Sequence, residues 1–294
     1  MKPIPAFLVL LLVSLTSISY GEGQPKESAA DIVKRLKFQK GEIVLKNGLA
    51  TLKVPNDLQF LNASDSVSVL VDLWGNPPMH EPPLGMLMPE LSPDSWGVII
   101  TYEEEGYVKD HDADTIEYPK LLAQMQKNVL AANGEREKLG FHSLELIGWA
   151  APPRYDKATH KLFWAKELKV AGSSENTLNY NIRMLGRRGV LVLNAVGAMS
   201  QLPEIEQASP KILAAIDFNP GNRYADFSEA AGDKIASYGL AALVAGGVAA
   251  KLGFFKGLWV LALGAKKFVI IGVVAIVAWF KKLFGKKGEA ALKG

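Results

Sequence analysis

Cysteine is missing from this chain of 294 residues. Its absence excludes disulfides, thiolate metal sites and cysteine nucleophiles together. The sequence also lacks the Gly-x-Ser-x-Gly turn of serine hydrolases and the glycine-rich loop that binds nucleotide phosphates. Four histidines are present, but no two of them have the spacing of a zinc hydrolase. These absences favour a protein that is not an enzyme.

Negative charge dominates the central part of the chain, although the net charge of the whole is +3. Residues 22–232 carry 22 basic and 28 acidic side chains, whereas ten lysines follow position 233. An acidic domain is a poor nucleic-acid binder, and no basic stripe with interleaved aromatics is visible. We therefore expect no nucleic-acid partner, and we assign the basicity to a membrane-facing end.

Apolar segments bracket the chain. Residues 1–21 combine Lys2, an apolar run and small residues near Gly21, which predicts a signal peptide. A flexible linker is expected at 22–33 and an extracytoplasmic domain at 34–232. Residues 233–284 are rich in Gly, Ala and large apolar residues, which predicts a membrane anchor, and 285–294 form a basic tail.

The lysines after Phe280 place the C-terminus in the cytoplasm and the main domain outside it. This orientation favours a single crossing within roughly 258–284, with a two-helix hairpin as the alternative. The lipid bilayer is thus one expected partner. Small residues spaced four apart in the tail leave a homo-oligomer formed through the tail as a further alternative.

The pattern between the two apolar ends predicts an α+β fold, an antiparallel sheet meander with packed helices. Two β runs around Asn47-Gly48 predict a hairpin, and alternating apolar residues predict a strand at 66–74. A helix is expected from about Thr115 to Asn133, where Gly134 would end it. Further strands are predicted at 96–102, 144–150, 161–170, 177–185 and 189–198, and a helix is predicted at 204–216.

Several blocks of sequence resemble the DUF2167 family of bacterial membrane-anchored proteins of unknown function. They include 74–78 (Trp-Gly-Asn-Pro-Pro), 106–114 (Gly-Tyr-Val-Lys-Asp-His-Asp-Ala-Asp), 153–156 (Pro-Arg-Tyr-Asp), 185–191 (Leu-Gly-Arg-Arg-Gly-Val-Leu) and 221–227 (Gly-Asn-Arg-Tyr-Ala-Asp-Phe). The resemblance implies an extracytoplasmic domain tied to a bacterial plasma membrane, and it implies no activity. The meander followed by a helix is also similar to extracytoplasmic domains of the PsbP/DcrB kind, a likeness of fold that carries no function.

Three aspartates alternate in one segment: Asp110, Asp112 and Asp114. Carboxylates at i, i+2 and i+4 of a loop suit a hard, oxygen-ligated cation such as Ca²⁺, although the glycine and glutamate of an EF-hand are missing. The alternative interpretation is an acidic helix N-terminus, where carboxylates cap free N–H groups. A divalent cation is the one cofactor for which the sequence offers ligands.

Two proline-stiffened segments carry aromatic and charged residues typical of binding loops. The candidates in the first are Trp74, Pro77, Pro78 and His80. Those in the second are Arg154 and Tyr155. The sequence thus favours a non-enzymatic module that binds an unidentified envelope protein or ligand. The alternatives are a metal-dependent module or envelope enzyme using the acidic loop at 110–114, and a membrane protein acting through its tail.

Overall fold

The computed structural model describes residues 28–76, 79, 81–91, 95–138 and 140–245, all of which belong to one compact unit. The predicted signal peptide, Pro77, Pro78, His80 and most of the predicted anchor lie outside these residues. No helix in the described ranges has the length and apolar character needed to cross a bilayer.

Two antiparallel sheets form the frame. The strands of the large sheet lie in the order β3-β4-β5-β9-β8-β7-β6, and those of the small sheet in the order β1-β2-β10. The strands are β1 (Glu42–Leu45), β2 (Ala50–Lys53), β3 (Gln59–Leu61), β4 (Gly85–Met88), β5 (Gly97–Glu103), β6 (Leu144–Asp156), β7 (Lys161–Val170), β8 (Thr177–Leu185), β9 (Val190–Ala198) and β10 (Ile216–Phe218). The predicted α+β class with a sheet meander is confirmed.

Helices cover both faces of the large sheet. They are α1 (Ala29–Arg35), α2 (Ala63–Val67) with a π-helix at Ser68–Leu73, α3 (Tyr118–Lys138), α4 (Leu202–Ala215) and α5 (Leu240–Ala245). One face packs against α4 and the small sheet. The other face carries two separate apolar clusters, one with α3 and α5 and one with α2 and the π-helix.

The strand predicted at 66–74 is wrong, because helical structure occupies this segment. Asn62 caps α2 by accepting the Asp65 N–H at 2.9 Å. The Ser66 hydroxyl is buried and donates to the carbonyl of Asn62 at 2.6 Å. The Ser66 hydroxyl thus bonds locally and the Ser68 hydroxyl accepts from Arg35 at 2.9 Å, whereas the alternating pattern had assigned both serines to solvent.

The loop predicted at Arg154 and Tyr155 is the end of β6, a strand at the edge of the large sheet. Its pairing with β7 shifts register between Ala151 and Arg154, where Pro152 and Pro153 lie. Proline is tolerated at edge strands and bulges because it has no N–H to donate to the ladder.

The folded unit also continues past the predicted boundary at 232. Residues 233–245, named here the C-terminal strap, lie within it, and Leu240, Leu243 and Val244 of α5 are buried in the cluster beneath α3. The predicted linker at 22–33 is likewise partly helical, because α1 begins at Ala29. Composition had grouped the strap with the apolar tail, because core and membrane segments share the same residue types.

Helix α3 passes through Gly134, where the sequence predicted its end, and continues to Lys138. Gly134 is exposed, and a Cβ at this position would meet no atom within 4 Å. We therefore expect Gly134→Ala to stabilise the protein by about 0.5–1 kcal/mol in chemical denaturation. Gly48→Ala is the matched control, because Gly48 is equally uncrowded but has a φ of +89° and should lose stability. Loss of stability in Gly134→Ala would show that the helix ends at Asn133.

Candidate functional site

A stack of four rings lies beside the C-terminal strap. Phe227 and Tyr107 stack with ring centroids 4.0 Å apart, Tyr107 and Tyr224 at 4.3 Å, and Tyr224 and His160 at 4.0 Å. These four residues, named here the aromatic stack, come from three distant segments of the chain. Stacked rings at such distances gain more than their buried area alone provides.

Asp110 joins the His160 end of the stack to β6. The Tyr155 hydroxyl donates to Asp110 Oδ2 at 2.8 Å and lies 3.2 Å from His160 Nδ1, which is itself 3.6 Å from the same carboxylate oxygen. Burial alone would raise the pKa of Asp110, but hydrogen bonding to the carboxylate, chiefly from Tyr155, outweighs it and holds that pKa below its usual range. Burial, reinforced by the bond to Asp110, raises the pKa of Tyr155. Asp110 is therefore an ionised acceptor in a fixed network.

An open cleft lies over this network. It is lined by Tyr107, Lys109, Asp110, His111 and Tyr224. The Lys109 and His111 side chains are exposed, whereas Tyr224 is buried and donates its hydroxyl to the Val108 carbonyl at 3.1 Å. The cleft thus combines flat aromatic surface with a cation, an imidazole and a carboxylate, which suits recognition of a mixed polar and aromatic surface.

The three aspartates of the predicted calcium site have three different partners. Asp110 accepts from Tyr155, as described above. Asp112 accepts the Leu240 and Ala241 N–H groups at 3.1 and 3.3 Å and so caps α5. Asp114 pairs with Lys157 at 2.5 Å. Among the described residues no three or more His, Asp or Glu side chains are grouped as metal ligands. Ion binding by all three aspartates would require these contacts to break, and a calcium site stays a prediction.

Of the remaining predicted binding residues that the structure describes, Trp74 and Arg154 lie outside the cleft. Trp74 ends the π-helix, half-buried against the cluster beside β4 and β5, and its backbone N–H donates to Val69 at 2.9 Å. Arg154 is exposed on β6 and lies 4.9 Å from the centre of the Phe163 ring. Of the described candidates in the two proline-stiffened segments, only Tyr155 joins the network around Asp110.

Two arginines and one carboxylate fix the start of the strap. Asp233 accepts from Arg187 Nε at 2.6 Å, from Arg188 Nε at 2.7 Å and from the Ser228 N–H at 2.9 Å. Hydrogen bonds from Arg187, outweighing the cost of burial, and from Arg188 hold the pKa of Asp233 far below its usual range.

The strap then runs beside the segment that lines the cleft. Tyr107 donates its N–H to the Lys234 carbonyl at 2.8 Å, and its carbonyl accepts from Ala236 at 2.9 Å. Two glycines permit this approach: a Cβ on Gly106 would lie 2.7 Å from the Lys234 oxygen, and one on Gly239 would lie 2.5 Å from Asp112 Oδ2. One short segment, 106–112, therefore both lines the cleft and holds the strap.

Sequence reasoning missed His160, Asp233 and the partnership among Tyr107, Tyr224 and Phe227. The blocks 106–114 and 221–227 had been noted as distinctive, but no spacing rule links residues more than a hundred positions apart. His160 has a φ of +52° at the turn between β6 and β7. A positive φ is uncommon for residues other than glycine, and nothing in the sequence around His160 predicts one.

Comparison with known proteins gives a family match and two weak structural likenesses. A family model described as protein of unknown function, DUF2167, matches residues 37–277. Comparison with curated proteins gives no match. Cyanobacterial PsbP (CyanoP) from Synechocystis is similar at 12% identity and a TM-score of 0.34, over 63% of this chain and 92% of that one. The Ran-binding protein Mog1p of Saccharomyces cerevisiae is similar at 11% and 0.33, over 62% and 96%. TM-scores this low carry no argument about function.

Asp233 offers a test of how the strap is held. Because its folded pKa is lowered, its ionised form stabilises the fold above the ordinary value of 3.8, and the contribution is lost as the pH falls through the folded pKa. We expect Asp233→Asn to lower the Tm clearly at pH 7 and by progressively less below about pH 4. Asp217→Asn, at an exposed position on β10, is the matched control. Equal Tm values for both variants at pH 7 would contradict a stabilising role for this clamp.

Proposed function

Since the chain belongs to the DUF2167 family of proteins of unknown function, we propose a role from the site itself: a membrane-anchored, extracytoplasmic module that binds a cell-envelope partner through the cleft. The observation that carries this proposal is the open cleft of Tyr107, Lys109, Asp110, His111 and Tyr224, formed over a stack of fixed rings. A binding surface held rigid before it meets its partner loses little entropy on association.

The position of the cleft supports the anchoring part of the proposal. Tyr107 both lines the cleft and pairs with Lys234 and Ala236 of the strap. The apolar sequence with its closing lysines begins where the strap ends. We infer that a partner bound at the cleft would be held close to the strap, the segment that leads into this apolar sequence. We place the domain on the extracytoplasmic side of a bacterial plasma membrane because of the N-terminal apolar leader and the lysine-rich C-terminus.

A pair of truncations tests the anchor and the boundary together. A chain ending at Ala245 keeps the Asp233 clamp and buried Leu240, Leu243 and Val244, so we expect a folded protein that leaves the membrane fraction. A chain ending at Gly232 lacks Asp233 of the clamp and all three of these buried apolar residues. Removing a single buried leucine side chain costs about 2–5 kcal/mol, so this second chain should fail to fold. Recovery of the chain ending at Ala245 in the membrane fraction would contradict anchoring by the tail.

Site-specific photocrosslinking in intact membranes tests the binding surface. We expect a crosslinker at position 111 to give a discrete heterologous product, and one at position 211, exposed on α4, to give none. Lys109→Glu should reduce the product about tenfold by reversing a charge at the cleft, whereas Lys127→Glu, exposed on α3, should not.

The other outcomes of this experiment separate the alternatives. Products that contain only this chain would support the homo-oligomer formed through the tail. A product of equal yield in the Lys109 and Lys127 variants would contradict binding at the cleft. The same would follow if positions 111 and 211 gave the same product.

A further inference from the structure

A strip of polar side chains crosses the face of the large sheet that α3 and α5 partly cover. Its members, named here the polar strip, are Lys166 on β7, Asn179, Asn181 and Arg183 on β8, and Asn194 on β9. Lys166 pairs with Asn179 across β7 and β8, and Asn181 pairs with Asn194 across β8 and β9. Residues directly opposite in an antiparallel sheet share a face, so these side chains point the same way.

Apolar clusters flank the strip on the same face. Trp164 and Leu162, in register with Asn181 and Arg183, belong to the cluster beneath α3 and α5. Ile99, in register with Asn194, belongs to the separate cluster beside α2 and the π-helix. The strip therefore fills the gap between two packed regions, where apolar side chains would have joined them into one core.

Within the described part of the chain, neither cation of the strip has a carboxylate within ion-pair distance. Across the described part of the chain, Lys166 makes no ion pair and donates no hydrogen bond. Arg183 makes no ion pair either. It donates to the Ile182 carbonyl at 3.4 Å and lies 5.0 Å from the centre of the Trp164 ring, with the Glu103 charge as a more distant influence. Burial, and after it the charge of Arg183, lowers the pKa of Lys166 to about 8. Two partly buried cations, one with no negative charge beside it and the other with only the more distant Glu103, are costly to the fold.

Further unpaired groups lie on the same face. Trp149 is in register with Lys166, and its buried indole N–H has no acceptor in the described structure. The same is true of the Trp164 N–H, and Asn194 Oδ1 is buried without a donor. Asn179 and Asn181 are buried and bonded to each other, Asn181 Nδ2 donating to Asn179 Oδ1 at 2.7 Å. Buried polar groups are normally satisfied, so the two unpaired N–H donors on the face that carries both cations point to a missing acceptor.

We propose that the polar strip binds an oxyanion, the carboxylate or phosphate group of a small ligand, between Lys166 and Arg183. An anion there would supply the negative charge that both cations lack and the acceptor that the neighbouring N–H groups lack. Glu103 and Tyr238 lie on the Arg183 side, which leaves Lys166 as the residue whose environment changes most on binding. This site is distinct from the cleft and does not depend on the function proposed for it.

The test uses the full chain in detergent, with sodium phosphate and sodium acetate as probes and sodium chloride at equal ionic strength as the reference. We expect one of the two oxyanions to raise the Tm by about 5–10 °C at a hundred times its Kd. The preferred probe identifies the chemistry of the ligand group. The Lys166 amine, followed by NMR, should show a pKa that rises towards the ordinary value of 10.5 when the anion is bound.

Lys166→Met is the decisive variant. It replaces an unpaired charge with an apolar chain of similar length, so we expect a higher Tm without added anion and no further rise with it. Lys169→Met, exposed on the same strand, should behave like the unaltered protein. Trp149→Phe, which keeps an aromatic ring of smaller size and removes the indole N–H, should weaken anion binding about tenfold. It keeps the proposal testable if Lys166→Met fails to fold.

Three results would overturn the proposal. One is an equal Tm shift in chloride and in both oxyanions, which would mean screening only. Another is an unchanged anion response in both Lys166→Met and Trp149→Phe. The third is a Lys166 pKa that does not move at saturating phosphate or acetate.

Discussion

The clamp on Asp233 is the interaction on which the arrangement around the cleft depends. One carboxylate, with its side chain removed from solvent, receives two guanidinium groups from the turn between β8 and β9 and one backbone N–H from the segment that precedes it. The clamp fixes the position at which the strap begins. The next residues can then pair with Tyr107, and α5 can reach the Asp112 carboxylate that caps it. Without the clamp, the strap would be a free end of the chain. Each later contact would then have to offset the conformational entropy that the strap loses when it is ordered.

Because residues 106–112 serve the strap on one side and the cleft on the other, the two are parts of one packed network. Tyr107 is the clearest case: its backbone pairs with the strap, while its ring is the second of four in the aromatic stack. A ligand that shifts this ring also acts on the strand-like pairing with Ile235, and a displacement of the strap acts on the ring. Such reciprocity follows from shared contacts and needs no separate conformational state.

The sequence predicts the regular parts of this fold well and the cleft poorly. The meander of β6 to β9 follows from alternation and turn residues, both of which are local. The segment 66–74 has the same alternation, but Asn62 caps a helix there and the Asn62 carbonyl accepts from Ser66. Tertiary burial decides between helix and strand in this segment. The sequence singled out the aspartates at 110, 112 and 114 as a group. Their partners, Tyr155, Leu240 and Lys157, lie from about forty to more than a hundred residues away, and no local pattern selects them.

The cleft and the polar strip differ in how their polar groups are satisfied. Around the cleft, Asp110, Tyr155 and Tyr224 already have partners, so a ligand adds contacts to a network that is complete without it. Along the strip, Lys166 and the Trp149 N–H have none among the described residues, so the folded chain bears the cost of partly burying the amine and fully burying the N–H whether or not a ligand is present. An apolar residue at position 166 would extend the cluster beneath α3 and α5, to which Trp164 and Leu168 on the same strand belong, at lower cost. The retention of a lysine there, opposite an asparagine and beside an arginine, is therefore explained by an anionic occupant and not by packing.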